Sequence, residues 1–82
     1  MNEQTAKTIL TADGYTVTIG ARVFDYYNGH WGTIGTLNSS SDWFDHHRED
    51  GGRGYLDGSR VCVRIPRGNP FYASHGSGNP EF

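Results

Sequence analysis

Residues 21–37 read Ala-Arg-Val-Phe-Asp-Tyr-Tyr-Asn-Gly-His-Trp-Gly-Thr-Ile-Gly-Thr-Leu, two runs rich in β-branched and aromatic residues separated by Asn28-Gly29. An Asn-Gly pair between two such runs is a strong signal for a tight hairpin turn. We therefore predict two antiparallel strands, one ending near Tyr27 and the other running over residues 30–37.

Three further strands are predicted downstream, separated by turn-forming residues at 38–42, 50–52 and 57–59. These strands cover residues 43–48, 53–56 and 60–65. The last one alternates strictly, so Val61, Val63 and Ile65 are expected to share one face. Pro66 ends it, because proline has no backbone N–H to donate to a neighbouring strand.

A separate hairpin is predicted upstream, around Asp13-Gly14. Tyr15, Val17 and Ile19 alternate with threonines after this turn, and we expect all three on one strand face. Short strands at this spacing favour a small barrel or sandwich. The predicted interior of that fold is formed by Val23, Ile34, Phe44, Leu56, Val61 and Val63.

The composition fits one small β domain. The chain has 82 residues, of which 12 are glycine, and glycine disfavours helix interiors. No apolar run is long enough to cross a membrane, so no membrane association is expected. The single cysteine, Cys62, excludes an internal disulfide and favours a cytoplasmic location.

The charge balance disfavours nonspecific nucleic-acid binding. Seven basic and nine acidic residues give a net charge of −2, whereas binding to a phosphate backbone needs a cationic surface. Six of the seven basic residues are arginine, the residue suited to planar, bidentate contacts. Residues 60–67 carry Arg60, Arg64 and Arg67 without an acidic residue, so a local basic edge stays open as an expectation.

A family resemblance accompanies these patterns. The stretch Gly20-Ala21-Arg22-Val23, followed by Tyr27-Asn28-Gly29-His30-Trp31-Gly32-Thr33-Ile34, resembles the opening of Src-homology-3-like barrels of the KOW and Tudor type. The continuation, Trp43-Phe44-Asp45 and then Tyr55-Leu56-Asp57-Gly58-Ser59-Arg60-Val61, is also similar. The resemblance covers residues 15–65 and implies an all-β fold: a small five-stranded barrel preceded by a β-hairpin, with an irregular C-terminal tail.

We accordingly predict a disordered N-terminus over residues 1–6, a β-barrel domain over 7–66 and a flexible C-terminal tail over 67–82. Phe71 and Tyr72 form the apolar part of that tail, and they could pack back on the barrel. The domain is expected to be a monomer or a small homo-oligomer, of a size that suits a phage or mobile-element product.

The leading functional prediction is a non-catalytic binding module for an unknown protein partner. In barrels of the resembling type, aromatic side chains near strand-connecting loops can form a groove for a ligand. The alternative for the aromatic residues beside Asn28-Gly29 is that most of them pack as core. The predicted contact residues are Tyr26, Tyr27, His30, Trp31, Trp43 and Arg48.

Two other functions stay open. A nucleic-acid-binding module of the KOW or Tudor type would need Arg60, Arg64 and Arg67 together with Arg22 or Arg48 on one surface. A small oligomeric enzyme is the other, because plasmid-type dihydrofolate reductases are tetramers of short barrel chains. Their catalytic strand reads Val-Gln-Ile-Tyr, whereas the comparable residues here are Val63-Arg64-Ile65-Pro66.

No catalytic group, cofactor or metal is predicted. Asp42, Asp45, His46 and His47 are the densest group of possible ligands, but adjacent residues on a strand face opposite sides. Asp45 and His47 share a face, and a third ligand from Asp57 or His30 is conceivable. A solvated strand face is the preferred interpretation, and Cys62 is expected to be a passive thiol because no helix N-terminus precedes it.

Overall fold

A computed structural model describes residues 7–38 and 40–72 and shows an all-β chain. This confirms the predicted fold class. The elements follow one another as β1 (Ile9–Leu10), β2 (Thr16–Val17), β3 (Arg22–Asp25), β4 (His30–Leu37), β5 (Trp43–Arg48), β6 (Arg53–Asp57), a 3-10 helix (Gly58–Arg60) and β7 (Val61–Cys62). Residues 1–6 and 73–82, where a disordered terminus and most of a flexible tail are predicted, lie outside the described residues.

Five strands form one curled antiparallel sheet in the order β6-β5-β4-β3-β7, a half-barrel. The strands β3 to β6 are consecutive hairpins, and β7 returns to pair with β3, so that Phe24 lies opposite Cys62. The β4–β5 register shifts between Ile34 and Leu37. Such a bulge bends a strand and increases its twist, which helps the sheet to curl.

The β3–β4 turn requires its glycine. Gly29 has a φ of +79°, in the left-handed region that residues with a Cβ rarely adopt. The buried Asp25 carboxylate accepts hydrogen bonds from the backbone N–H groups of Tyr27 at 3.0 Å and Asn28 at 3.2 Å. The turn predicted at Asn28-Gly29 is therefore confirmed, but β3 ends at Asp25 and not near Tyr27, so that the turn spans residues 26–29.

The predicted interior is confirmed. Its six residues are all buried in one cluster inside the curl of the sheet, and Ile9 and Val17 of the β1–β2 hairpin complete it. The hairpin is tied to the edge strand, since Ala12 N–H donates to the carbonyl of Val61 at 2.9 Å. The hairpin thus forms part of the core.

The strand faces predicted for Ile19 and Ile65 are wrong. Ile19 is 59% exposed because β2 ends at Val17 and the chain turns, with Ala21 N–H donating to the carbonyl of Thr18. Ile65 does not join Val63, because β7 ends at Cys62. The chain bends where the Asp13 carboxylate accepts hydrogen bonds from the backbone N–H groups that follow β7.

A second buried cluster lies on the other side of β3 and β7. It consists of Phe24, Trp31, Cys62 and Ile65, with Tyr26, Phe71 and Tyr72 packed against it. The rings of Phe24 and Phe71 are 6.0 Å apart, nearly edge to face. Residues 67–72 therefore cover the back of the sheet, and the packing expected of Phe71 and Tyr72 is confirmed.

Candidate functional site

The largest exposed aromatic feature is a stack of Trp43 on Tyr55. Trp43 lies opposite Asp57 in the β5–β6 register, so Tyr55 is its diagonal neighbour on the outer face of the sheet. The ring centroids are 5.3 Å apart and the planes differ by 21°. Trp43 is 37% exposed and Tyr55 is 53% exposed, so the stack presents a rigid aromatic surface to solvent.

An open groove of about 430 Å³ runs beside this stack. Its walls come from the β1–β2 hairpin, the β4–β5 loop and the 3-10 helix, and Leu10, 66% exposed, forms the apolar wall facing Trp43. The Lys7 ammonium donates to the carbonyl oxygens of Asn38, at 2.5 Å, and Ser41. Lys7 therefore ties the β4–β5 loop to the residues that precede β1.

The groove is acidic. Among the described residues that line it are the carboxylates of Asp42 and Asp57, and no basic side chain. Asp57 is fixed in place as the N-cap of the 3-10 helix, where it accepts hydrogen bonds from Ser59 N–H at 3.1 Å and Ser59 O–H at 2.6 Å. Asp45 adds a third carboxylate nearby, directly opposite Tyr55.

The predicted contact residues beside the β3–β4 turn have different environments. Trp31 is 7% exposed and lies between the Phe24 ring, at 5.1 Å, and the Arg22 guanidinium, at 3.9 Å. Tyr26 is half-buried, and its hydroxyl donates to the carbonyl of Ser59 at 2.5 Å. Burial raises the pKa of Tyr26, so this hydroxyl stays protonated as a donor.

Tyr27 is the most exposed of the predicted contact residues, with 59% of its surface exposed. The Arg60 guanidinium lies over its ring at 4.1 Å, and the Tyr26 ring is 5.1 Å away. A cation over an aromatic face is attracted by the ring quadrupole. Tyr27 and Arg60 therefore form a small patch that is separate from the Trp43–Tyr55 groove.

His30 and Arg48 lie together at a third place, near the β5–β6 turn. Arg48 donates through two nitrogens to the Asp50 carboxylate, both at 3.1 Å, and His30 Nδ1 is 3.6 Å from the same carboxylate. The hydrogen bond from Arg48 lowers the pKa of Asp50 to about 2. Neither residue lines the groove at Trp43, so the predicted contact residues fall into three groups.

The possible metal ligands do not converge. His46 is fully buried with Nε2 3.2 Å from the carbonyl oxygen of Val23, whereas His47 is exposed on the opposite face. Within the described residues, no group of three histidine, cysteine or acidic side chains could hold a metal ion. Cys62 is buried, and burial together with the Asp13 charge raises its pKa to about 12, so it is a poor nucleophile.

The arginines of the predicted nucleic-acid surface have different neighbours. Arg22 pairs with Glu49 at 2.6 Å and Arg48 with Asp50, both beside the β5–β6 turn. Arg64 and Arg67 line a separate cleft at the end of β7. Arg60, the remaining member of the set, lies over the Tyr27 ring.

The sequence prediction missed Tyr55, which stacks on Trp43, and Leu10, which lines the groove. The signal for Tyr55 was available, because a hairpin turning at residues 50–52 places residue 55 diagonally opposite Trp43. Leu10 carried no comparable signal, since its position depends on how the first hairpin packs across the sheet.

Comparison with protein-family models, curated proteins and solved structures finds no match for this chain. In the part of the chain that the structure describes, no helix has the length and apolar character needed to cross a membrane. The fold and the groove define its class: a small all-β half-barrel domain with an exposed aromatic groove.

Proposed function

We propose that this chain is a non-catalytic protein-binding domain that holds its partner in the groove beside Trp43 and Tyr55. The observation that carries the proposal is the exposed Trp43–Tyr55 stack next to Leu10. Tryptophan and tyrosine dominate binding energy at protein interfaces, where their large rings bury apolar area at low entropic cost. Exposed apolar residues that cluster around a concavity are typical of interaction sites.

We further propose that the half-barrel is of the Src-homology-3-like type. Two features support this: the meander of β3 to β6 followed by a single 3-10 turn, and the return of β7 to pair with β3. The finer relation to KOW or Tudor modules rests on the sequence resemblance over residues 15–65, which consists mostly of turn glycines and β-branched residues.

The charge of the groove favours a basic partner. Asp42 and Asp57 line it and Asp45 is adjacent, whereas the ammonium of Lys7 is occupied by two carbonyl groups. A partner segment that brings an arginine or lysine beside its apolar residues would therefore be complementary. Of the contact residues predicted from the sequence, Trp43 belongs to this groove, and Tyr27 is accessible to a partner that extends past the 3-10 helix.

The test is capture of the partner from a lysate of the source cells with the full chain, compared with Trp43→Ser and Tyr55→Ser variants. Each variant is expected to reduce the captured partner at least about tenfold, because hot-spot aromatic residues contribute about 2 kcal/mol or more. Ile19→Ser is the matched control, since Ile19 is also an exposed apolar residue but lies outside the groove.

Circular dichroism of each variant checks that the fold is intact. If Ile19→Ser and Trp43→Ser reduce capture equally, or if neither reduces it, the groove is not the binding site.

A further inference from the structure

The outer edge of β6 has no partner strand within the described residues. The strand order places β6 at the end of the sheet, where it pairs with β5 alone. That pairing runs over five consecutive residues without a register shift, and β6 contains no proline. Edge strands are often protected from further pairing by a bulge or a proline. The edge of β6 is therefore regular and able to accept another strand.

The hairpin geometry shows which backbone groups of β6 point away from β5. Arg48 N–H donates to the carbonyl of Gly52 at 2.9 Å, so these two residues form a hydrogen-bonded pair. Hydrogen-bonded and non-hydrogen-bonded pairs alternate along an antiparallel ladder, and Gly54 and Leu56 therefore bond to β5. The groups that point outward are the N–H and C=O of Arg53, the N–H and C=O of Tyr55, and the N–H of Asp57. Within the described residues, no backbone hydrogen bond outside the sheet ladders uses them.

The charges of β6 make this edge complementary to itself. When two β6 strands run antiparallel and are centred on Tyr55, Arg53 of each copy lies opposite Asp57 of the other. Directly opposed charges of opposite sign stabilise a strand pair, whereas like charges disfavour it. Arg53 is exposed, and the ion pairs among the described residues involve other cations. Asp57 accepts both of its bonds from Ser59 through Oδ1, so its Oδ2 atom faces no competing donor there.

The same register also matches the backbone groups and the aromatic rings. Tyr55 lies opposite Tyr55 of the second copy, and their outward N–H and C=O groups can exchange two hydrogen bonds. Asp57 N–H of each copy can donate to the Arg53 carbonyl of the other, while the Asp57 carbonyl begins the 3-10 helix. Tyr55 already stacks on Trp43 at 5.3 Å, so the two copies would align four rings on one face of the sheet.

We propose that two copies of this chain pair through the edges of their β6 strands, antiparallel and centred on Tyr55, as a two-fold symmetric dimer. The five-stranded sheets of the two copies then form one continuous sheet. A two-fold interface uses the same patch on both copies, so each favourable contact occurs twice. The pairing of Arg53 with Asp57 at both ends of the junction is the reason to expect a second copy rather than an unrelated strand.

Sedimentation equilibrium of the full chain over a range of concentrations tests the proposal. A reversible equilibrium between monomer and dimer is expected, and high salt should weaken it because the charge pairs are exposed. Arg53→Asp is expected to raise the dimer dissociation constant at least about tenfold, because it opposes two carboxylates at each end of the junction. Asp57→Arg should act similarly by opposing two guanidinium groups. An equimolar mixture of the two variants should recover the dimer, since every opposed pair in a mixed dimer again has opposite charges.

Arg67→Asp is the matched control, because it makes the same charge change on an exposed residue outside β6. It is expected to leave the dissociation constant within about twofold. Tyr55→Pro and Tyr55→Ala both remove the ring, but the proline also removes an outward N–H while sparing the bonds to β5, so it should weaken the dimer more. Circular dichroism checks that each variant is folded.

Three results would overturn the proposal. The first is a full chain that stays monomeric up to about 1 mM. The second is a mixture of the folded Arg53→Asp and Asp57→Arg variants that associates no better than either variant alone. The third is a dimer that Arg53→Asp and Arg67→Asp weaken equally, which would place the contact away from β6.

Discussion

His46 is a titratable side chain that the fold removes completely from water. Its side chain is fully buried, its Nδ1 atom has no hydrogen-bond partner, and Nε2 is 3.2 Å from the Val23 carbonyl oxygen. The ring passes over Gly32, where a Cβ would lie 2.7 Å from Nε2. Burial lowers the pKa of His46, and the charge of Arg48 acts in the same direction, while that of Asp25 opposes it.

This environment predicts that the fold loses stability as the pH falls below the ordinary histidine pKa of about 6.5. The unfolded chain takes up a proton in that range and the folded chain resists it, so unfolding becomes more favourable. Asp50 stays ionised throughout, because its pKa is about 2. Urea unfolding at pH 7.5 and pH 5.0 measures the effect. His46→Gln is expected to flatten the pH dependence and the exposed His47→Gln to preserve it; an unchanged slope in His46→Gln would contradict the assignment.

Gly29 gives a second prediction at this scale. Its φ of +79° disfavours any side chain, and a Cβ there would lie 2.6 Å from a ring carbon of Phe71. Gly29→Ala is expected to lower the free energy of unfolding by about 2 kcal/mol, from backbone strain and this clash. Chemical denaturation measures the change. In a Phe71→Ala background the same substitution should cost less, because the clash disappears and the strain stays; an equal cost would show that Phe71 does not pack there.

Among the elements, the β1–β2 hairpin acts as a lid on the half-barrel, and Asp13 is its anchor. Its carboxylate accepts from Val63 N–H at 3.0 Å and Arg64 N–H at 2.9 Å, and from the Thr11 hydroxyl at 2.5 Å. Asp13→Ala removes all three bonds and is expected to cost about 1–2 kcal/mol of folding free energy, moderated by the exposure of the site. Asp42→Ala is the control, expected to stay within about 0.5 kcal/mol. Denaturant midpoints that shift equally for both variants would argue against an anchoring role.

The Asp13 contact also shows which part of the fold could not be predicted from the sequence. The strands β3 to β6 were predictable because turn residues and alternation are local in the chain. The end of β7 was not, because the Asp13 carboxylate that bends the chain is 50 residues away from Val63. In the site, Trp43 was predictable as a strand-end aromatic residue. Leu10 was not, since its place in the groove depends on the packing of the hairpin across the sheet.

At the scale of the whole molecule, the sheet is buried on both faces along β3 and β7, whereas the outer face of β5 and β6 is exposed at Trp43 and Tyr55. One cluster fills the curl, and the second is covered by residues that follow Pro66, chiefly Phe71 and Tyr72. A β-barrel domain limited to residues 7–66 would lack that cover and would expose Cys62, now 2% exposed. The segment 67–72 therefore contributes to stability.

Shortened chains test this contribution. A chain ending after Tyr72 serves as the reference for the free energy of unfolding. A chain ending after Pro66 should lose about 2 kcal/mol, since the partly buried Phe71 and Tyr72 no longer remove apolar surface from water. The Cys62 thiol gives an independent readout, because a thiol reagent should modify it faster once the cover is gone. Equal stability and equal thiol protection in the two chains would place the domain boundary at Pro66, with residues 67–72 contributing nothing to the fold.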